Sequence, residues 1–148
     1  MELAVAARSD VGMIRAGNED NFYAAADEKG GIFVVADGMG GHAAGEVASE
    51  MAVKLIRDQL SPLRDLHDRR AGDRVLDALR AANLAIYNRT VTEVDKQGMG
   101  TTASVLIIAG RRYLIGQVGD SRIYLLRDGS LPLSVLEAKI DRWINSKK

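Results

Sequence analysis

The chain has 148 residues, 20 basic and 20 acidic side chains, two histidines and no cysteine. That length supports one domain with a buried core, and the cancelled charge supplies no long-range field toward nucleic acid or an anionic membrane. The missing cysteine excludes a disulfide framework, a thiolate metal site and a cysteine nucleophile.

Residues 3–8 read as a first strand. Residues 21–26 and 31–36 read as a second and third, joined by the turn Asp27-Glu28-Lys29-Gly30. Over 46–60, Ala48, Met51, Ala52, Leu55, Ile56 and Leu60 follow a helical period, which Ser61-Pro62 ends. The charged stretch 63–72 reads as a surface loop, and its His67 takes no role. A second helix is predicted over 73–94, with Val75, Leu76, Leu79, Ala82, Asn83, Ile86 and Tyr87 on one face. Residues 103–108, 112–117 and 123–126 are strand-like. Near the end, Ser134 and Glu137 form a capping-box pattern, and Leu133, Leu136, Ile140, Trp143 and Ile144 mark the apolar face of an amphipathic helix. Strands bunched around a pair of helices differ from a βαβ alternation, so an antiparallel α+β arrangement with outer helices is expected. No run approaches a membrane span, and the N-terminus lacks a signal-peptide pattern; a cytoplasmic protein is expected.

The most informative segment is Val35-Ala36-Asp37-Gly38-Met39-Gly40-Gly41-His42. An apolar run ends there in a carboxylate, a glycine-rich turn and a histidine. Asp37 should stand at a strand end, where a rigid element aims an oxygen ligand, and hard cations such as magnesium or manganese take such donors. Three further segments sit at strand edges. Arg15-Ala16-Gly17-Asn18-Glu19-Asp20 precedes one strand, Gly98-Met99-Gly100-Thr101-Thr102 opens another, and Val118-Gly119-Asp120-Ser121-Arg122 lies between two more.

Four such motifs in this order resemble the PPM-type metal-dependent serine/threonine protein phosphatases, and the Asp37 to His42 wording is nearest to bacterial members. The resemblance runs from about Ser9 to Asp128. It implies an α+β fold, an antiparallel β-sandwich flanked by helices (αββα). It also implies that 1–129 is part of such a domain and that the helix of 130–148 stands where family members carry their second half. Manganese or magnesium is implied as cofactor, two ions in the family, with Asp37 bridging them and the Gly38 carbonyl contributing. Glu19 and Asp20 would hold metal-bound waters, and Asp120 a third, weaker metal. Arg15 would bind the phosphate and His42 would act as general acid. The reaction implied is hydrolysis of phosphoserine or phosphothreonine in a protein substrate by a metal-activated water. Nucleic acid and membrane are not expected as partners.

Each residue also has a plainer reading. Asp37 and Asp120 are ordinary turn aspartates, Glu19 and Asp20 a solvated acidic pair, Arg15 a surface arginine, His42 an exposed loop histidine. Thr101 and Thr102 start a strand and bond to backbone. Family members carry two further ligating aspartates beyond the matched region, so this chain is expected to be weakly active, with a partner or second copy covering exposed half-sheets. Two other classes stay open: a non-catalytic binding remnant of such a domain, and a nucleotide-binding protein using the glycine loop as a phosphate cradle, although Gly-Lys-Ser/Thr and a βαβ unit are missing.

Overall fold

The computed structural model of the protein describes residues 2–130, the side chain of His42 excepted. β1 (Asp20–Asp27) and β2 (Gly30–Met39) form a hairpin whose register runs from Asp20 opposite Asp37 to Asp27 opposite Gly30. Asp27 holds the turn: its Oδ1 accepts the N–H groups of Lys29 and Gly30 at 2.8 and 3.1 Å. Gly30 has no room for a side chain, because a Cβ there would run into the Ile108 carbonyl of a neighbouring strand.

Along β2, Ile32, Val34 and Ala36 are buried, whereas Val35, Asp37 and Met39 are exposed on the other face. This is the period-two signature of a strand covered on one side. The short β3 (Gly100–Thr101) pairs with Gly38 and Met39. β4 (Ala103–Ala109) runs along β2, and β5 (Arg112–Val118) along β4. The sheet is antiparallel throughout, in the order β1-β2-β4-β5.

Helices α1 (His42–Leu60) and α2 (Ala71–Thr92) pack on one face of this sheet. Ala44, Ala48, Ala52, Ile56 and Leu60 recur every four residues and are all buried, so α1 presents a narrow apolar stripe to β2. Gly116 admits α2 to β5, since a Cβ there would stand 2.6 Å from Val75 Cγ1 and 3.1 Å from Leu79 Cδ1. Val34, Val105 and Ile107 from the sheet meet Ile56, Val75, Leu79 and Ile86 from the helices. Each such side chain contributes roughly 1.5–3 kcal/mol of burial.

The antiparallel α+β class holds, and the described residues supply one sheet with one helix pair. Among the described residues, no helix lies on the sheet's other face. Several expectations need correction. Residues 3–8 form no strand and no strand edge pairs with them; Val5 to Arg8 instead face Phe22, Phe33 and Val35 across a cavity of about 390 Å³. Residues 123–126 form none either, and among the described residues only the Arg127–Ser130 bridge follows β5. α1 begins four residues earlier than predicted, directly after Gly40 and Gly41, whose positive φ angles of 125° and 84° end the strand. Leu63 and Leu66, read as surface loop, are buried. Tyr87, read onto the apolar face of the second helix, is exposed. The helix expected over 130–148 lies outside the described residues. No helix among the described residues is long and apolar enough to cross a membrane.

Candidate functional site

Because every pairing is antiparallel, β1 begins, β2 ends, β4 begins and β5 ends at the same end of the sheet. All four motif segments therefore gather there. Asp20 and Asp37 are cross-strand partners, and partners in register project to one face. That face is the one that α1 and α2 leave uncovered, since Ala36 and Asn21, their chain neighbours, face α1.

Asp20 stands at the exposed rim, yet its carboxyl is raised above the ordinary range. Partial loss of hydration is the first cause; the Asp37 charge and a hydrogen bond between the two side chains follow. Arg15 opposes the rise and Glu19 adds to it, so the Arg15 guanidinium stands close enough to the pair to act on it. Arg15 itself is exposed.

Asp37 is fixed through its backbone. Its N–H donates to Thr102 Oγ1 at 3.0 Å, and its carbonyl accepts from the Thr102 N–H at 2.9 Å and from Thr101 Oγ1 at 3.0 Å. Thr102 Oγ1 also lies 2.7 Å from Ser121 Oγ, and Gln117 Nε2 donates to the Ser121 carbonyl. This chain ties the 119–121 turn, and Asp120 within it, to the end of β2. Gly119 lies so close to Thr102 that a Cβ would meet its Cγ2 at 2.7 Å. Asp120 is exposed, and its charge is felt by Arg122, whose main partner is the Tyr124 hydroxyl at 3.3 Å.

Glu19 is turned differently from Asp20. Its carboxylate lies against Gly45 in the first turn of α1, where a Cβ would overlap it, and Oε2 is buried without a hydrogen-bond partner. Its carbonyl accepts from the Gly38 N–H at 3.2 Å and from Ser49 Oγ at 2.5 Å. Ser49 is fully buried and in turn accepts from Asn21 Nδ2 at 2.9 Å. Ser49, Asn21 and Gln117 were not singled out by the sequence; Ser49 shows there only as a polar residue inside an alanine-rich helical stripe. Gly38 is wedged between main chains, a Cβ there striking the carbonyls of Gly45 and Glu19. His42 is the first residue of α1.

Asp20 and Asp37 are thus brought together, with Glu19 and Arg15 within electrostatic range and Asp120 one hydrogen-bonded step away. Among the described residues, no three His, Cys, Asp or Glu side chains come close enough to enclose a metal ion. The apposed carboxylates of Asp20 and Asp37 nevertheless offer a hard divalent cation two oxygen donors of surplus negative charge, the donor type such ions select.

The sequence matches the Protein phosphatase 2C family over residues 15–145. The chain belongs to that family. It is 48% identical over 132 residues to the serine/threonine protein phosphatase PstP of Mycobacterium tuberculosis (strain ATCC 25618 / H37Rv), covering 87% of this chain and 24% of that protein. It is 42% identical over 123 residues to the serine/threonine phosphatase stp of Listeria innocua serovar 6a, covering 82% and 49%. A crystal structure of the PstP catalytic domain in complex with two manganese ions is similar with a TM-score of 0.72 at 44% identity, covering 85% of this chain and 52% of that one. Staphylococcus aureus Stp1 is similar with a TM-score of 0.74 at 27% identity, covering 88% and 54%. The chain thus spans about a quarter of the length of the first of these curated relatives and about half of the second.

Proposed function

We propose that the chain carries the first part of a metal-dependent protein serine/threonine phosphatase site, and that its substrates are phosphoserine and phosphothreonine in proteins. The observation that carries this reading is the Asp20–Asp37 pair on the open face of the sheet, with the Arg15 charge beside it. Asp37, Asp20 and the Gly38 carbonyl would hold manganese or magnesium, with Glu19 behind them and Asp120 toward a further ion. A cation there supplies positive charge against the phosphate and acidifies water. Arg15, planar and permanently charged, binds two phosphate oxygens at once and fixes the phosphorus over the carboxylates. His42, at the start of α1, is assigned the proton delivered to the leaving alkoxide. Thr101 and Thr102 keep the Asp37 backbone still while this happens.

The exposed apolar side chains of the open face, Phe22 and Val35 among them, support a further element: additional protein surface covers this face in the working enzyme. With only two apposed carboxylates among the described residues, turnover by this chain should be slow.

The test is hydrolysis of an aryl phosphate and of a phosphothreonine peptide at millimolar manganese, with and without chelator. Chelator should abolish turnover, and Asp37→Asn should lower it at least about tenfold, the scale on which weakened metal sites lose activity. Turnover indifferent to chelator and to Asp37→Asn would overturn the reading.

A further inference from the structure

Strand β5 ends at Val118, and the turn that carries Asp120 starts directly after it. Past that point the chain leaves the ladder. Among the described residues, the hydrogen bonds that hold the turn come from two side chains of the sheet end. Gln117 Nε2 donates to the Ser121 carbonyl, and Thr102 Oγ1 stands 2.7 Å from Ser121 Oγ. A segment anchored by so few groups takes its position and its stillness from them.

Gln117 is itself held at both ends. Its neighbour Gly116 faces α2, so Gln117 projects to the opposite face, the one that carries Asp20 and Asp37. The Ser121 carbonyl can only accept, which sets the amide nitrogen toward the turn. The amide oxygen is then buried without a donor. Ser104, opposite Gln117 in the β4–β5 ladder and 5% exposed, has a buried hydroxyl without a partner. Cross-strand partners share a face, so an oxygen lacking a donor and a hydroxyl lacking an acceptor lie side by side. Each supplies what the other lacks. From Ser121 the contacts continue inward: Thr102 Oγ1 also accepts the Asp37 N–H at 3.0 Å, and Gly119 lies too close to Thr102 to admit a Cβ.

We propose that Gln117 is a positioning residue. Through Ser121 and Thr102 it keeps the Asp120 turn and the Asp37 strand end in one fixed relation, so that the two carboxylates present themselves to divalent cations together. It touches neither cation nor phosphate. The consequence for cations rests on the phosphatase reading, whereas the positioning does not, and the two are measured separately.

Amide hydrogen exchange of the metal-free chain measures the positioning. Gln117→Met keeps the length of the side chain and removes its donor; Ser121→Ala removes the hydroxyl that meets Thr102. Each should speed exchange of the Asp37 N–H about three- to tenfold, the worth of one net hydrogen bond, while amides at the centre of β4 keep their rates. Ser121→Thr retains the hydroxyl and should keep the parent rate. In a Ser121→Ala background, Gln117→Met should add little, because the link it acts through is already cut. Calorimetric titration with manganese measures the consequence. In Gln117→Met the affinity should fall about ten- to a hundredfold, the range seen when a group behind a metal ligand is lost. Asp37 exchange that is unchanged in Gln117→Met, or raised only in step with the centre of β4, overturns the proposal. So does an effect of Gln117→Met that is the same with and without the Ser121 hydroxyl, and so does equal manganese affinity in parent and variant. A parent chain that binds no manganese would sink the phosphatase reading and leave the exchange rates to decide the positioning role.

Discussion

Asp20 and Asp37 face each other across β1 and β2, and their side chains leave the sheet on the side the helices do not cover. Like charges directly opposed on a sheet are destabilising, and the raised carboxyl of Asp20 records that cost together with its lost hydration. A strand pair needing only stability would carry such a charge opposite a lysine. The same arrangement becomes favourable once a divalent cation stands over it, because the repulsion turns into shared attraction.

The first prediction follows from that sign change. Without metal, Asp37→Asn should leave the melting temperature unchanged or raise it, since one of two repelling charges is gone. With manganese the order should reverse: the parent chain gains stability and the variant gains little. At a free ion concentration a hundred times the dissociation constant, the gain is about 2.7 kcal/mol. Thermal melting with and without manganese gives both arms, and an equal manganese gain in the two proteins would show that Asp37 does not hold the ion.

Ser49 is the buried joint between α1 and the start of β1. Its hydroxyl serves the Glu19 carbonyl, the Glu46 carbonyl and Asn21 Nδ2 at 2.5, 3.0 and 2.9 Å. Ser49→Ala removes the acceptor of Asn21 and one donor to Glu19 while adding no bulk. The cost should be about 1–3 kcal/mol, that of stranding buried polar partners, seen as a lower urea midpoint at unchanged slope. Asn21→Ala added to Ser49→Ala should cost less than it does alone, because the stranded amide is then gone.

The legible part of this fold was the part governed by local pattern. The alternation through Ile32, Val34 and Ala36 and the apolar run from Ala103 announced central strands, and the four-residue recurrence of Ala48, Ala52, Ile56 and Leu60 announced α1. Residues 3–8 have equal local claims to be a strand but form none, because a strand exists only with a hydrogen-bonding neighbour. Tyr87 was misassigned for a related reason: it lies at the margin of the helical arc, and only the placement of α1 and the sheet decides which side of that margin is covered. In the site, Asp37 was visible because glycines and an apolar run frame it. Its bonds to Thr102, and through Thr102 to Ser121, join residues 65 and 19 positions apart, and local pattern carries no trace of such pairings. Ser49 was hidden by the same logic, since a serine among alanines reads as tolerated rather than required.

Gly45 sets two effects against each other. In a helix interior, Gly→Ala ordinarily stabilises by about 1 kcal/mol. Here the new Cβ would overlap the Glu19 carboxylate and stand 2.9 Å from the Met39 nitrogen. The carboxylate can swing away but the main chain of β2 cannot do so freely, so Gly45→Ala should destabilise. In a Glu19→Ala background the same substitution should cost at least about 1 kcal/mol less, the coupling expected of residues in direct contact. Urea denaturation of the four proteins completes the cycle. Additive costs would mean that Glu19 is not lodged against Gly45.

The hairpin opposite the site offers a test by acid. The Lys29 N–H holds the Asp27 carboxyl below the usual carboxylate range. Partial loss of hydration opposes that shift, and the Gly30 N–H with the charges of Arg64 and Lys29 reinforces it. A carboxyl whose value is lower in the folded than in the unfolded chain binds fewer protons when folded. Its contribution is therefore present in full above the ordinary carboxylate range and is lost as pH falls through the lowered, folded value. Asp27→Asn keeps the acceptor oxygen and removes the charge, so it isolates this effect from the other acidic groups. The parent chain should melt above the variant at neutral pH, and the gap should close as pH is taken down through the carboxylate range. In an amide-detected titration, the Lys29 and Gly30 N–H signals should follow one transition displaced to the acid side of the ordinary range. A gap independent of pH would mean that Asp27 acts through its hydrogen-bond geometry alone.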